Sequence, residues 1–340
     1  MARKIKESIR EIVWKKYPQI KKKDNLFKGR YLDLQKIESK YYDGNTKLRR
    51  ALIVSGFPNG VGRRKILTQF IVDKLTTNKS SAYTPLSIEL FDGQSIEDFI
   101  LQLNDCFLLC SKEDLLREIQ GSKQRKLDLA IKLINYMAEK KEKLLIRDNG
   151  ACVLSNGHIC SWFEDILTSK EIQSQTLFFI ASKCYPWSDI ENRFPGLISV
   201  QIQPLIKEDI KVLFHAYSEE IHSLSIKEED ADYFINKFPG LPDQIFRCVD
   251  LIKEHNVGYA KKMLPTIIES GDRYILSLLD LFKDKHSHMQ ILILMSSFEF
   301  ISYDLLKKHL KVLLILMTFC KIFIDIQYMN LLVAIISTLD

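Results

Sequence analysis

Short apolar runs alternate with longer segments of helical periodicity between residues 50 and 203. Runs typical of strands cover residues 50–55, 83–90, 143–148, 175–182 and 197–203. Patterns with helical spacing lie at 31–42, 63–75, 95–119 and 124–140. Strands that alternate with helices build a parallel sheet covered on both faces. The sequence therefore predicts an α/β fold around such a sheet.

The pattern changes near residue 205, after which it is helical alone. Near residue 288 a second compact unit begins, and its order of helix, short turn and helix is typical of a small winged helix. We expect four parts: a basic helical lead-in (1–24), an α/β domain (25–204), a helical domain (205–284) and a winged-helix-like domain (285–340). The apolar end raises the expectation that this last part is truncated.

A glycine-rich turn follows the first predicted strand and leads into a helical segment. Gly56, Gly60 and Gly62 tolerate unusual dihedral angles, so main-chain N–H groups can point inward next to a helix N-terminus, which favours anions. This arrangement predicts a phosphate-binding loop, the P-loop, and makes the α/β part a P-loop NTPase domain. The predicted contacts to a nucleotide are Gly56, Gly60, Val61, Gly62, Arg63 and Arg64.

The turn departs from the usual pattern G-x-x-x-x-G-K-[ST]. Five residues separate Gly56 from Gly62, Arg63 stands where Lys belongs, and Arg64 replaces the hydroxyl that binds Mg²⁺. Guanidinium is not a conservative replacement for ammonium at such a site. Lys65 serves instead if the extra Asn59 shifts the register. We therefore predict binding of ATP or ADP, weakened Mg²⁺ binding and at most weak hydrolysis.

The third and fourth predicted strands end on residues that suit phosphate chemistry. Asp148 ends the third strand at the edge where parallel sheets bind ligands, and a carboxylate there can hold Mg²⁺. Asn149 stands where a hydrolase often has a second acid, and Lys183 follows the fourth strand. The simpler interpretations are a strand-ending turn for 148–150 and a solvated surface side chain for Lys183. As a hypothesis we assign Asp148 to metal binding and catalysis, and Lys183 to catalysis.

Composition narrows the range of functions. The net charge is +6, with lysines crowded at 21–23 and acidic residues at 208–232. This basic region is either a solvated face or a contact for nucleic acid. An odd number of cysteines, seven, with no C-x-x-C pair favours a reducing cytoplasm, and no metal-binding cluster of Cys and His is evident. The apolar stretch 312–339 is interrupted by polar residues, so we expect no membrane span.

Taken in order, these motifs resemble the STAND class of signalling NTPases, which includes NB-ARC and NACHT proteins. The resemblance covers residues 25–310 and is closest to bacterial STAND proteins with a TIR effector. It depends on these segments: 27–30 (FKGR), 56–64, 144–148, 178–183, 204–214 and 238–242 (FPGLP). It implies that Gly29 and Arg30 lie against adenine, that Pro242 touches the base and that Lys183 senses the γ-phosphate. It also implies that Asp148 serves Mg²⁺.

Three hypotheses follow from these patterns. The first is a nucleotide-operated signalling switch that self-associates or contacts an effector or sensor protein. The second is a non-catalytic scaffold that has lost nucleotide binding, which the paired arginines support. The third is an ATPase that acts on DNA, for which salt-dependent binding to duplex DNA is the discriminating observation. We favour the switch, because a switch needs different affinities in two conformations and little catalysis.

Overall fold

The computed structural model describes residues 15–16, 18, 22–23, 26–42, 49–57, 60–75, 83–173, 177–194 and 196–280. The predicted winged-helix domain at 285–340 lies outside the described residues. Five strands are present: β1 (Ala51–Gly56), β2 (Leu86–Phe91), β3 (Leu144–Asn149), β4 (Phe178–Ser182) and β5 (Leu197–Ile202). They form one parallel sheet in the order β2-β3-β4-β1-β5. The predicted parallel α/β architecture is confirmed.

Helices precede, separate and follow these strands. In chain order they are α1 (Tyr31–Tyr42), α2 (Arg63–Phe70), α3 (Ile96–Phe107), α4 (Lys112–Ile119), α5 (Lys123–Glu139), α6 (Ser161–Thr168), α7 (Ile190–Arg193), α8 (Lys207–His215), α9 (Glu228–Lys237), α10 (Pro242–Glu254) and α11 (Val257–Asp280). π-helical turns extend α2 through Ile71–Leu75 and α8 through Ala216–Ile221.

Two details of the predicted helices are wrong. The single helical pattern at 95–119 is two helices, because Leu108 takes a left-handed conformation (φ 52°) and Ser111 caps the next helix. The Ser111 side chain accepts a hydrogen bond from the Asp114 N–H, which satisfies one of the free donors at the start of α4. The short helix α6 was not predicted at all.

Both faces of the sheet are buried, as continuous apolar strands require. Ile53 of β1 faces a cluster formed with α3, α5 and α6, whereas Leu52 and Val54 face a cluster that includes α1 and α2. A third cluster is built from helices α8–α11, joined by Leu26 from the N-terminal side. We call residues 30–202 the sheet unit and residues 205–268 the helical unit.

Helix α1 covers the free edge of β5 with cationic side chains. The Lys40 and Lys36 ammonium groups donate to the carbonyls of Ser199 (2.9 Å) and Gln201 (3.3 Å). Glu191 accepts a hydrogen bond from the Ser199 N–H at 2.7 Å. An exposed strand edge is a template for pairing with other chains, and charged groups on it prevent that.

Candidate functional site: a basic cavity beside a glycine-rich turn

The predicted phosphate-binding turn lies between β1 and α2. Gly60 and Gly62 both have positive φ, 93° and 103°, and Gly62 caps α2 without a side-chain hydrogen bond. Within the described residues, the N–H groups of Val61, Gly62 and Arg64 donate to no protein acceptor. Unpaired donors at a helix N-terminus attract anions.

Arg30 lies beneath this turn, with only 5% of the residue exposed. One of its terminal nitrogens donates to the Val61 carbonyl, and the other donates to the Gln203 carbonyl (2.8 Å) and to Asp33. The resemblance implies that Arg30 lies against adenine. In this conformation its guanidinium instead holds main-chain carbonyls, although the residue still borders the cavity described below.

The two arginines that replace the P-loop Lys and hydroxyl point in different directions. The Arg63 guanidinium donates to the Ser182 carbonyl at the end of β4, at 2.6 Å. Arg64 is exposed and forms no ion pair within the described part of the chain. Arg63 therefore links the first turn of α2 to the sheet by a hydrogen bond, whereas the Arg64 guanidinium places a positive charge in the cavity lining.

Asp148 is enclosed by hydrogen-bond donors at the end of β3. Its residue exposure is 1%, and one carboxylate oxygen accepts from the N–H groups of Gly150, Ala151 and Cys152. The other oxygen accepts from the Val153 N–H (3.1 Å) and the Ser182 hydroxyl (2.8 Å). Burial raises the pKa of this carboxyl, and the donors around it oppose that rise.

The geometry does not fit Mg²⁺ at this position. Both oxygens of Asp148 are used by the protein, and Arg64 stands where a hydroxyl ligand belongs. No group of three or more His, Cys, Asp or Glu side chains in the described ranges has an arrangement that suits a metal. Mg²⁺ binding by Asp148 stays a prediction, and in this conformation both oxygens of the carboxylate accept hydrogen bonds from the protein instead.

Asn149 and Lys183 lie next to Asp148 at the same edge of the sheet. The Asn149 side chain donates to Glu89 of the neighbouring strand at 3.2 Å. The Lys183 N–H donates to the Asp148 carbonyl at 2.8 Å, and the residue is half-buried outside the cavity. The predicted role of Lys183 at the γ-phosphate stays a prediction.

A cavity of about 560 Å³ opens between the turn, the helical unit and residues 23 and 26–28, which we call the N-terminal segment. This volume is typical of small-molecule sites. Five lining residues are cationic and one is acidic: Lys23, Lys28, Arg30, Arg64 and Lys65 against Asp243. Its apolar part is lined by Leu26, Phe27, Leu205, Leu213, Pro242 and Phe246. Lys23, Lys28 and Arg30 pair with Asp250, Glu220 and Asp33. The Arg64 cation, which forms no ion pair within the described residues, favours an anionic ligand with an apolar portion.

The structure brings part of the predicted set together around this cavity. Arg30, Gly60, Gly62, Arg64 and Pro242 line it.

The other predicted residues lie outside the cavity. Gly29 and Gly56 allow close packing, because an added β carbon would lie 2.9 Å from Asp209 and 2.7 Å from the Ile202 carbonyl oxygen, respectively. Val61 is buried, and its carbonyl faces Arg30. Arg63, Asp148 and Lys183 lie at the adjacent sheet edge.

Sequence reasoning predicted Pro242 at the start of α10 but missed Lys23 before the sheet unit and Phe246 within α10. Lys23 lines the cavity, pairs with Asp250 (3.2 Å) and lies 5.1 Å from the centres of the Tyr217 and Phe246 rings. The basic character of the lead-in was the one signal for Lys23. Phe246 follows the predicted FPGLP motif by one helical turn, and no pattern in the sequence distinguishes it from a core residue.

Comparisons with known proteins identify the fold. No protein-family model matches the chain, and no curated protein matches it significantly. The Walker-type ATPase PABY2304 of Pyrococcus abyssi aligns over 89% of this chain and 90% of its own, at a TM-score of 0.55 and 14% identity. The ORC2 protein of Aeropyrum pernix, in its ADPNP–ADP complexes, aligns over 90% and 91%, at 0.52 and 10% identity.

At such identities the likeness shows the fold alone. The parallel sheet and the helices around it have the P-loop NTPase fold. In the described part of the chain, no helix combines the length and the apolar character that a membrane span needs.

Proposed function

We propose that this chain is a nucleotide-operated switch of STAND type. ADP or ATP binds in the cavity between the sheet unit and the helical unit, with weak or absent hydrolysis. Exchange of the two nucleotides changes how the units are held, and this leads to self-association or to contact with an effector or sensor protein. The cavity carries the proposal, because it joins main-chain N–H groups that have no acceptor among the described residues, the Arg64 cation and an apolar wall.

The cavity lining offers contacts to both parts of a nucleotide. Gly62 and Arg64 offer N–H groups and a positive charge to the phosphates. Pro242 and Phe246 offer an apolar surface to the base. This arrangement also supports the predicted division into an NTPase domain and a helical domain, because the ligand would bridge them.

Weak hydrolysis agrees with the neighbouring residues. Asp148 is surrounded by donors, Asn149 cannot act as a base, and Arg64 offers no hydroxyl to a metal ion. A switch requires only that two conformations differ in their affinity for the two nucleotides. Loss of catalytic groups is compatible with that requirement.

The test is to purify the protein under native conditions, denature it and identify the released nucleotide by mass spectrometry. We expect ADP or ATP near equimolar amounts. Gly62→Asp should abolish retention, since a side chain at φ 103° strains the turn and its β carbon lies 3.6 Å from the Arg30 Nε, where the carboxylate competes with the Val61 carbonyl for the guanidinium. A folded wild-type protein that releases none and gains no thermal stability from added ADP would refute the proposal.

Gly93→Asp is the matched control. Gly93 also has a positive φ, 80°, and nothing lies within 4 Å of an added β carbon. Both variants therefore introduce the same charge and a similar backbone strain, but only Gly62 lies at the cavity. Retention in Gly93→Asp and its loss in Gly62→Asp is the expected pair of results.

A non-catalytic scaffold is the second candidate, and the contact of Arg63 with Ser182 favours it. That guanidinium is occupied by the protein itself at the position where ammonium would bind phosphate. Thermal unfolding with and without ADP separates the two functions. A ligand at a hundred times its dissociation constant stabilises by about 2.7 kcal/mol, whereas a scaffold shows no shift.

A further inference from the structure

We infer that Arg30 is a positioning residue that couples the phosphate-binding turn to the helical unit. The inference rests on the proposed function and adds the route by which nucleotide binding is transmitted. It is drawn from one guanidinium that holds main-chain carbonyls of two separate segments, Val61 in the turn and Gln203 after β5.

The contact with Val61 sets the direction of a phosphate donor. The peptide bond between Val61 and Gly62 is planar, so its carbonyl and its N–H point in opposite directions. Because the carbonyl points at Arg30, the Gly62 N–H points away from it. Within the described residues this N–H has no protein acceptor. An anion bound to the Gly62 N–H therefore acts on the same peptide that Arg30 holds.

The contact with Gln203 leads to the helical unit in two steps. Gln203 precedes the link at Pro204 and Leu205, and the Leu205 N–H donates to the Gly240 carbonyl at 2.9 Å. Gly240 lies two residues before Pro242, which lines the cavity. A displacement of the guanidinium at the turn is thus passed to the segment that positions Pro242 in the cavity lining.

Burial makes this link stiff. Arg30 is almost fully enclosed, and Asp33 neutralises its charge from the first turn of α1. A buried charge that loses its partners is costly, so the guanidinium and the two carbonyls move together rather than separate. Lysine at this position has a single nitrogen and does not span both carbonyls in the fixed fork of a guanidinium.

Hydrogen exchange measured by mass spectrometry, with and without ADP, tests the coupling. In the wild type, ADP should slow exchange both at 60–70 and at 228–240, a segment that ends on Gly240 and contributes no residue to the cavity lining, by about five-fold or more at the second segment. In Arg30→Lys, ADP should still protect 60–70 but should leave 228–240 unchanged. Asp33→Ala, which keeps the guanidinium but frees it, should show partial loss at 228–240 and decides the question if Arg30→Lys does not fold.

Lys36→Ala is the matched control, because Lys36 also caps a carbonyl of β5 from α1 but does not reach the turn. It should behave like the wild type. Equal protection of both segments in Arg30→Lys and Asp33→Ala would overturn the coupling, as would loss of protection at both segments in either folded variant. Absence of ADP protection anywhere in the wild type would instead refute the proposed function.

Discussion

The turn at Gly240 offers a quantitative test of how the link at Pro204 and Leu205, which follows the sheet unit, is held within the helical unit. Its φ is 94°, and an added β carbon would lie 2.5 Å from the carbonyl oxygen of Leu205 and 2.7 Å from its nitrogen. Atoms of the main chain cannot turn aside as a flexible side chain can. Gly240→Ala must therefore separate this turn from the link at Leu205 and break the hydrogen bond between them.

The expected loss of stability is about 4 kcal/mol. A left-handed conformation costs a non-glycine residue about 1–2 kcal/mol, and the reduced freedom of the unfolded chain returns about 0.4–1 kcal/mol. Overpacking adds about 1–3 kcal/mol, and the lost hydrogen bond adds about 1 kcal/mol. Gly93→Ala, with similar φ and open space around it, should cost about 1 kcal/mol or less because only the first two effects apply.

Urea unfolding followed by circular dichroism measures both variants, and a fluorescent ADP analogue measures their affinity for nucleotide. We expect Gly240→Ala to weaken nucleotide binding as well, since Pro242 and Phe246 follow this turn and line the cavity. Gly93→Ala should bind as the wild type does. If the two variants unfold at the same urea concentration, the contact between Gly240 and Leu205 does not stabilise the helical unit and the reasoning fails.

Two further predictions concern single side chains. Burial lowers the pKa of His222 below its ordinary value of 6.5, so near that pH the folded protein binds fewer protons at this side chain than the unfolded chain does. The stabilising contribution is complete above about pH 6.5 and is lost as pH falls through the folded pKa. His222→Gln should therefore reduce the slope of urea stability against pH below about 6.5, and an unchanged slope would contradict this. Arg63→Lys should tighten ADP binding about ten-fold, because an ammonium that does not hold the Ser182 carbonyl supplies one charge-assisted hydrogen bond to phosphate. Equal or weaker binding in a calorimetric titration would contradict the placement of the phosphates.

Much of the fold could be predicted from the sequence because its strands are buried on both faces. Continuous apolar runs mark such strands, and the glycine spacing after residue 55 marks the turn. The order of strands in the sheet could not be derived, since it depends on crossings between elements far apart in the chain. The helix break at Leu108 could not be predicted, because a leucine side chain does not indicate a left-handed backbone conformation.

The candidate site was harder to predict than the fold. Asp148 was expected to present its carboxylate to a metal, yet the donors that enclose it come from the backbone at 150–153 and from Ser182, 34 residues away. A strand-ending Asp-Asn-Gly pattern gives the position of the carboxylate but not the path of the chain that follows. Phe246 joins the cavity only because α10 packs against the N-terminal segment, which is a tertiary effect.

The arginines of this chain share one property that bears on the proposed switch. Arg30 and Arg63 both use their guanidinium groups on main-chain carbonyls next to the phosphate-binding turn, Arg30 beneath it and Arg63 at the end of β4. A guanidinium that donates to a carbonyl has fewer N–H groups left for an anion. Catalysis requires cations that are aimed at the charge developing on the transferred phosphate. Because Arg30 and Arg63 are directed at carbonyls instead, such a site favours retention of a nucleotide through main-chain N–H groups over its turnover.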